Sequence, residues 1–270
     1  MKLEPTDLLE IATPKVITKL LSNSVAKDLW LGATSSGTGM SFEDKNDMHR
    51  VAKNPKFAAQ TDPLALATTL KKYIDLVLAN WKDTSNDNST DEMKASLPLF
   101  VEMSKYLPHI NPSDKYDMAF RGTSLGSNAQ AFVKRSSNAK EWKKVSIAGA
   151  TYMVYVGPKK NQFTYKPHRD VQSWSVSKDA ASNFGNYMIA TPLDISFFFD
   201  PEFLSNYGYE HEEETIHFGK QPMKVALMVR YGEYLNHADI NTYDESYEYD
   251  SPLTEDIQVA DEEGTLSIPM

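Results

Sequence analysis

Between Asp62 and Trp81 apolar residues return every three or four positions, at Leu66, Leu70, Tyr73, Ile74, Val77, Leu78 and Trp81. That spacing lines one face of an α-helix, and Asp62 followed by Pro63 supplies an N-cap and a first helical residue. Ser89 with Glu92 three positions on has the form of a capping box, and Met93, Leu97, Phe100, Val101 and Tyr106 predict a second helix, bent at Pro98. Segments 6–12 and 14–22 predict shorter helical turns. The stretch from Gly32 to Met40, GATSSGTGM, is glycine-rich but lacks the Gly-Lys-Ser/Thr ending of a phosphate-binding loop, so it predicts a plain connection.

From about residue 115 the period changes from helical to short apolar or alternating runs separated by turn residues. MAFRG, VSIAG, TYMVYVG, VQSWSVS, YMIA, ISFFF, ETIHF and KVALMVRY predict strands, interrupted by one helix over Ser177–Phe184. DIQV and TLSI, near the end, predict edge strands in an acidic surrounding. The predicted class is α+β: a helical region over 1–112, then a two-sheet, mostly antiparallel unit over 113–270.

Composition narrows the function classes. Against 37 Asp and Glu stand 28 Lys and Arg, a formal charge of −9 that argues against a phosphate backbone as principal partner. With no cysteine there is no disulfide framework, no thiolate nucleophile and no Cys-containing metal site. The six histidines form no HExxH pair, and no metal is expected. The N-terminal residues carry acids and a proline where a signal peptide has its apolar run, and no apolar stretch reaches the ~18 residues of a membrane span, so a soluble cytoplasmic protein is expected.

Three elements of the strand-rich part carry candidate chemistry. Arg121, in Phe120-Arg121-Gly122-Thr123, ends a short apolar strand with a guanidinium suited to phosphate oxygens, and the glycine after it permits close approach of backbone to a ligand. Ser173 and Ser175 lie in QSWSVSKDAASNF, a strand leading into a helix. Glu212, Glu213 and Glu214 precede the apolar run TIHF, and strand alternation would put Glu212 and Glu214 on one face.

Taken together and in this order, these elements resemble the Arg-Ser-Glu class of mono-ADP-ribosyltransferases, a group that includes actin-modifying bacterial toxins, vertebrate arginine transferases and T-even phage transferases. The resemblance covers roughly residues 115–230, and Ser175 precedes Glu214 by 39 residues, close to the family's separation. It implies an enzyme that transfers ADP-ribose from NAD to an arginine of a target protein and releases nicotinamide. Glu214 would stabilise the developing cation and Ser173 would orient it, while Arg121 would hold the phosphates or adjoining ribose. Gly122, Ser175 and Phe184 would complete the NAD cleft, Glu212 would address the arginine acceptor, and Tyr207 or Tyr209 would meet the target protein.

The departures from the pattern are specific. Trp174 replaces a small hydroxyl residue between the serines, where alternation turns it away from the cleft. Pro192 requires its strand to be an edge or to break there. Glu255 in PLTEDIQV is a rival for the catalytic glutamate, with Leu253 in the first position of Glu-x-Glu; Glu214 is preferred because it alone brings a second carboxylate. An NAD glycohydrolase, or a non-catalytic binding protein with a remnant cleft, are the alternative readings.

Overall fold

The computed structural model describes residues 3–35, 41–82, 87–107, 110–124, 126–136, 138–208 and 212–238, and the backbone of 257–259 and 266–268. The protein is α+β. Its N-terminal part is helical: α1 (Pro14–Leu20), α2 (Ser24–Ser35), α3 (Phe42–Lys53), α4 (Pro63–Lys82) and α5 (Asp87–Met103), preceded by a 3-10 turn over Pro5–Leu8. α4 starts as its sequence dictates, with the Asp62 carboxylate accepting from the Ala65 amide at 2.9 Å. Its apolar stripe from Leu66 to Trp81 is buried.

Three features of this region differ from the sequence expectation. α5 begins at Asp87, so Ser89 lies inside the helix and is no cap, while Pro98 falls within the helix as the expectation of one helix across it requires. The first residues of the glycine-rich stretch, Gly32–Ser35, continue α2, because Leu29, Trp30, Ala33 and Thr34 bury a face that the adjoining polar sequence conceals. The rest of that stretch lies outside the described residues. α3, which the apolar pattern does not announce, is set by a capping box of Ser41 and Asp44.

The strand-rich part contains β1 (Met118–Thr123), β2 (Trp142–Ile147), β3 (Ala150–Tyr155), β4 (Phe163–Tyr165), β5 (Val171–Ser175), β6 (Tyr187–Pro192), β7 (Phe197–Phe198), β8 (Glu214–Phe218) and β9 (Met223–Arg230). α6 (Gly126–Arg135) follows β1, α7 (Lys178–Ala181) follows β5, α8 (Pro201–Ser205) follows β7 and α9 (Tyr231–His237) follows β9. Instead of two sheets, the described strands form one nine-stranded sheet ordered β2-β3-β9-β6-β1-β5-β8-β7, with β4 also paired to β9, and a separate ladder of β10 (Ile257–Val259) and β11 (Leu266–Ile268). Every pairing given for them is antiparallel.

The expected division survives as a seam. β1 pairs with β6 over six positions but with β5 only at Phe120 and Ser175, so the two halves of the sheet meet at one register position. β6 lies between β1 and β9, and Pro192 is tolerated because it is the last residue of that strand. The helical layer packs on the β5-β8-β7 half: one apolar cluster joins Trp30, Tyr73, Val77 and Phe100 to Val171, Phe198, Ile216 and Phe218. The other half has its own clusters, around Phe132, Trp142 and Val229 on one side and Phe120, Tyr152 and Met188 on the other.

Candidate functional site

Directly paired residues of antiparallel strands share a face. The pairings of Phe120 with Ser175, Ser175 with Glu214 and Ser173 with Ile216 therefore put Ser173, Ser175 and Glu214 on the side covered by the N-terminal helices. Arg121 leaves β1 from the opposite side, together with Ala119. Its guanidinium reaches into the seam, where Nη1 donates to the Ser173 carbonyl oxygen. The structure thus brings Arg121, Ser173 and Glu214 together where the strands part.

Glu214 is the unusual group here. It is 2% exposed, and its Oε1 accepts from the Trp81 indole Nε1 at 3.4 Å. Oε2 is buried with no hydrogen-bond partner among the described residues. Burial pushes the carboxyl up to about 7; the Ser173 hydroxyl, Trp81 and the Arg121 charge pull it partly back, while Glu212 adds to the rise. The Ser173 hydroxyl exerts this influence from nearby, without a hydrogen bond to Oε2. A carboxyl of this kind changes charge near neutrality, and buried carboxyls held so are recurrent at catalytic sites.

Arg121 is also desolvated. Burial lowers its affinity for its proton, and contact with Tyr165 and the Glu214 charge act the other way. The guanidinium remains protonated. Its Nε is buried without a hydrogen-bond partner among the described residues, as are Trp174 Nε1 and His217 Nδ1. Trp174 does point away from Ser173, packing edge-on to Tyr165 and Phe197.

Glu212 and Glu213 do not lie on a strand, because β8 begins at Glu214. They form an exposed turn in which Glu213 has φ 45°, so strand alternation does not place Glu212 beside Glu214. What fixes the turn is Ser175: its hydroxyl donates to the Glu212 carbonyl at 2.8 Å and accepts from the Ser177 amide at 3.0 Å, and the Val176 amide donates to the Glu213 carbonyl at 2.9 Å. Ser175 is 5% exposed, and its hydroxyl is committed to the protein's own backbone.

Gly122 serves packing. A Cβ there would lie 2.0 Å from the Ala181 carbonyl oxygen and 2.9 Å from Phe184 Cβ, so the absence of a side chain lets α7 and the turn after it close on β1. Phe184 itself is 55% exposed beside the seam. Tyr207 is held inward, its hydroxyl donating to Asp75 of α4 at 2.9 Å, while Tyr209 and Glu255 lie outside the described residues.

Sequence reading missed Trp81. Its helical stripe explains it fully as a core residue, and the indole donor's second task follows only from the docking of α4 on β8. Among the described residues no cluster of three or more His, Asp or Glu is arranged to hold a metal ion, and no helix is long and apolar enough to cross a membrane. Comparison with family models, with curated proteins and with solved structures gives no match for this chain.

Proposed function

We propose that this protein is an NAD-dependent mono-ADP-ribosyltransferase that modifies arginine side chains of a target protein and releases nicotinamide, using an ADP-ribosyltransferase core over 113–270. The observation that carries this reading is the meeting of Arg121, Ser173 and Glu214 at the seam between β1 and β5, across 93 positions of sequence. The same three residues carry the sequence motif, and their convergence supports it.

NAD brings a cationic nicotinamide on a ribose, and cleavage of that glycosidic bond passes through an oxocarbenium-like state. Glu214, once ionised, supplies fixed negative charge in a dry setting, where it acts most strongly on a developing cation. A cationic ring beside it would favour that ionisation. Arg121 would face the anionic part of the dinucleotide with the donors it does not spend on Ser173. Glu212, exposed in its turn, is free to meet an arginine acceptor and to receive its proton.

The test is incubation with labelled NAD and a protein lysate, measuring nicotinamide release and protein labelling in parallel. The wild-type chain is expected to do both. Glu214→Gln should lower both by ~100-fold or more, because it removes transition-state stabilisation. Glu212→Gln should abolish labelling while nicotinamide release persists. Release without any labelling by the wild type would identify a glycohydrolase instead, and neither activity would overturn the proposal.

A further inference from the structure

On the opposite side of the β1/β6 half, α6, β4 and the start of β9 enclose an open groove of about 1080 Å³. Five cations line it, Lys134, Arg135, Lys160, Lys166 and Lys224, against one carboxylate, Glu141. Glu141 is occupied, since it accepts from the Tyr155 hydroxyl at 3.0 Å. All five cations are exposed, and no ion pair among the described residues involves any of them. Such a concentration of positive charge is unexpected on a chain of formal charge −9.

The distribution of charge along the sequence resolves the mismatch. Residues 239–270 hold ten of the 37 acidic residues and none of the 28 Lys and Arg. Residues 1–238 therefore carry a formal charge of +1 and residues 239–270 carry −10. The basic groove belongs to a nearly neutral body attached to a strongly acidic segment.

The lining selects the class of anion. Four of the five cations are lysines, compact charges on flexible stems that can meet carboxylates scattered along a chain without the fixed geometry of a guanidinium fork. The aromatic side chains of the groove, Phe132, Tyr155, Phe163 and Tyr165, are each 5% exposed or less, leaving no ring face on which a nucleic-acid base could stack. The volume exceeds what one small carboxylate needs and suits an extended chain.

We infer that this groove is a docking surface for an extended acidic polypeptide, and that residues 239–256 of this same chain, ahead of the β10–β11 ladder, are its occupant. Connectivity favours it: α9 packs against α6, which forms one wall of the groove, and Leu235 and Ala238 pack on the cluster containing Phe132 and Tyr155. Ala238, the residue before the acidic segment, thus sits on the apolar cluster that underlies the groove. Ten extended residues reach up to about 35 Å, so Asp244, Glu245 and Glu248 are within range of it. Attachment to the body gives the segment an effective concentration of order millimolar, enough for weak, salt-sensitive pairing. The inference is independent of the ADP-ribosyl transfer reading.

Zero-length carbodiimide coupling of the full chain tests it, using an equal mixture of unlabelled and nitrogen-15-labelled protein. Expected are amide links from Lys134, Lys160, Lys166 or Lys224 to carboxylates between Asp239 and Asp256, within single copies. They should fall at least tenfold in ~1 M salt, where the Debye length is ~3 Å. The Lys94–Asp170 pair, at 2.9 Å, is an internal control for coupling at low salt. Charge reversal by Lys134→Glu with Lys160→Glu should also remove the links, while that control pair still couples. Coupling of Lys94 to Asp170 with no link to the acidic segment would overturn the inference. So would links formed only between differently labelled copies.

Discussion

At the scale of single residues, the most consequential group is the Glu214 carboxyl. Its affinity for a proton is higher in the folded chain, about 7 against an ordinary 4.5. A group raised in this way contributes stability that is fully present below its unfolded value and is lost as pH climbs through its folded value. Between about pH 4.5 and 7 the wild type therefore loses up to ~3 kcal/mol relative to a chain that never ionises there. Glu214→Gln should be close to neutral at pH 4.5 and stabilising by roughly that amount at pH 8, which urea unfolding at the two pH values would measure. An equal effect at both would mean the carboxyl is not desolvated as described. The transferase reading adds an opposite trend: activity of the free enzyme rises as pH passes through about 7, because the ionised form stabilises the cation. Stability and turnover would then run in opposite directions across the same interval. Gly122 makes a second residue-scale prediction. Its missing Cβ accommodates the Ala181 carbonyl, so Gly122→Ala should cost ~2 kcal/mol through displacement of α7, visible as a lowered urea midpoint with unchanged slope.

At the scale of elements, the site is a junction of pieces that do different jobs. β5 holds its serines in two roles, with Ser173 beside the carboxyl and Ser175 tying down the turn before β8. Ser175→Ala removes a hydroxyl that serves one acceptor and one donor, and should cost ~1–2 kcal/mol. It should also reduce arginine labelling more than nicotinamide release, because the loosened turn carries Glu212; equal losses would place Ser175 in the cleavage step instead. α4 contributes through Trp81. Trp81→Phe keeps most of the packing but removes the donor that favours the charged carboxyl, so the activity limb governed by Glu214 should move to higher pH. Measured pH–rate profiles that coincide would sink that role. How much of this was legible in the sequence follows from the kind of force involved. α4 and β8 are written in periodicity, and the Arg121, Ser173 and Glu214 set is written in motif. The turn at Glu213 is not, because its positive φ is imposed by hydrogen bonds from β5, which lies far off in sequence. The Ser89 box was misleading, since a capping pair has the same spelling inside a helix that simply starts earlier. Trp81 was hidden for a similar reason: an indole on an apolar stripe reads as core whether or not its nitrogen faces a carboxylate.

At the scale of the whole molecule, the sequence changes character near residue 112, yet the packing ignores that boundary. The largest apolar cluster runs from the helices through Trp30, Tyr73 and Phe100 into the sheet at Val171, Phe198, Ile216 and Phe218. Aromatic contacts cross the junction directly, with Phe100 4.8 Å from Phe199, edge to face, and 6.2 Å from Phe218. Polar links accompany them, among them Tyr207 to Asp75, Trp81 to Glu214 and the Lys94–Asp170 ion pair. An isolated helical layer would expose the apolar face that β5, β7 and β8 cover, and an isolated sheet would expose the matching face of those strands, so the shared cluster stays buried only with both present, beside the clusters that the β1/β6 half keeps for itself. The two regions should therefore unfold as one cooperative unit. Helical circular dichroism and tryptophan fluorescence, which reports Trp30 and Trp81 in the helices and Trp142 and Trp174 in the strands, should follow a single urea transition. Phe100→Ala, placed at the junction, should lower both signals' midpoints together, costing ~3–5 kcal/mol. Separation of the two signals would mean that the helices form an independent domain, and the covering of Glu214 by Trp81 would then be a contact between movable bodies. With a shared core it is a fixed one, so the dry environment that lifts the Glu214 carboxyl is a property of the fold as a whole. Loosening the helical layer by Phe100→Ala should accordingly return that carboxyl toward its ordinary value, a change that carbon-13 titration of the glutamate side chains would register.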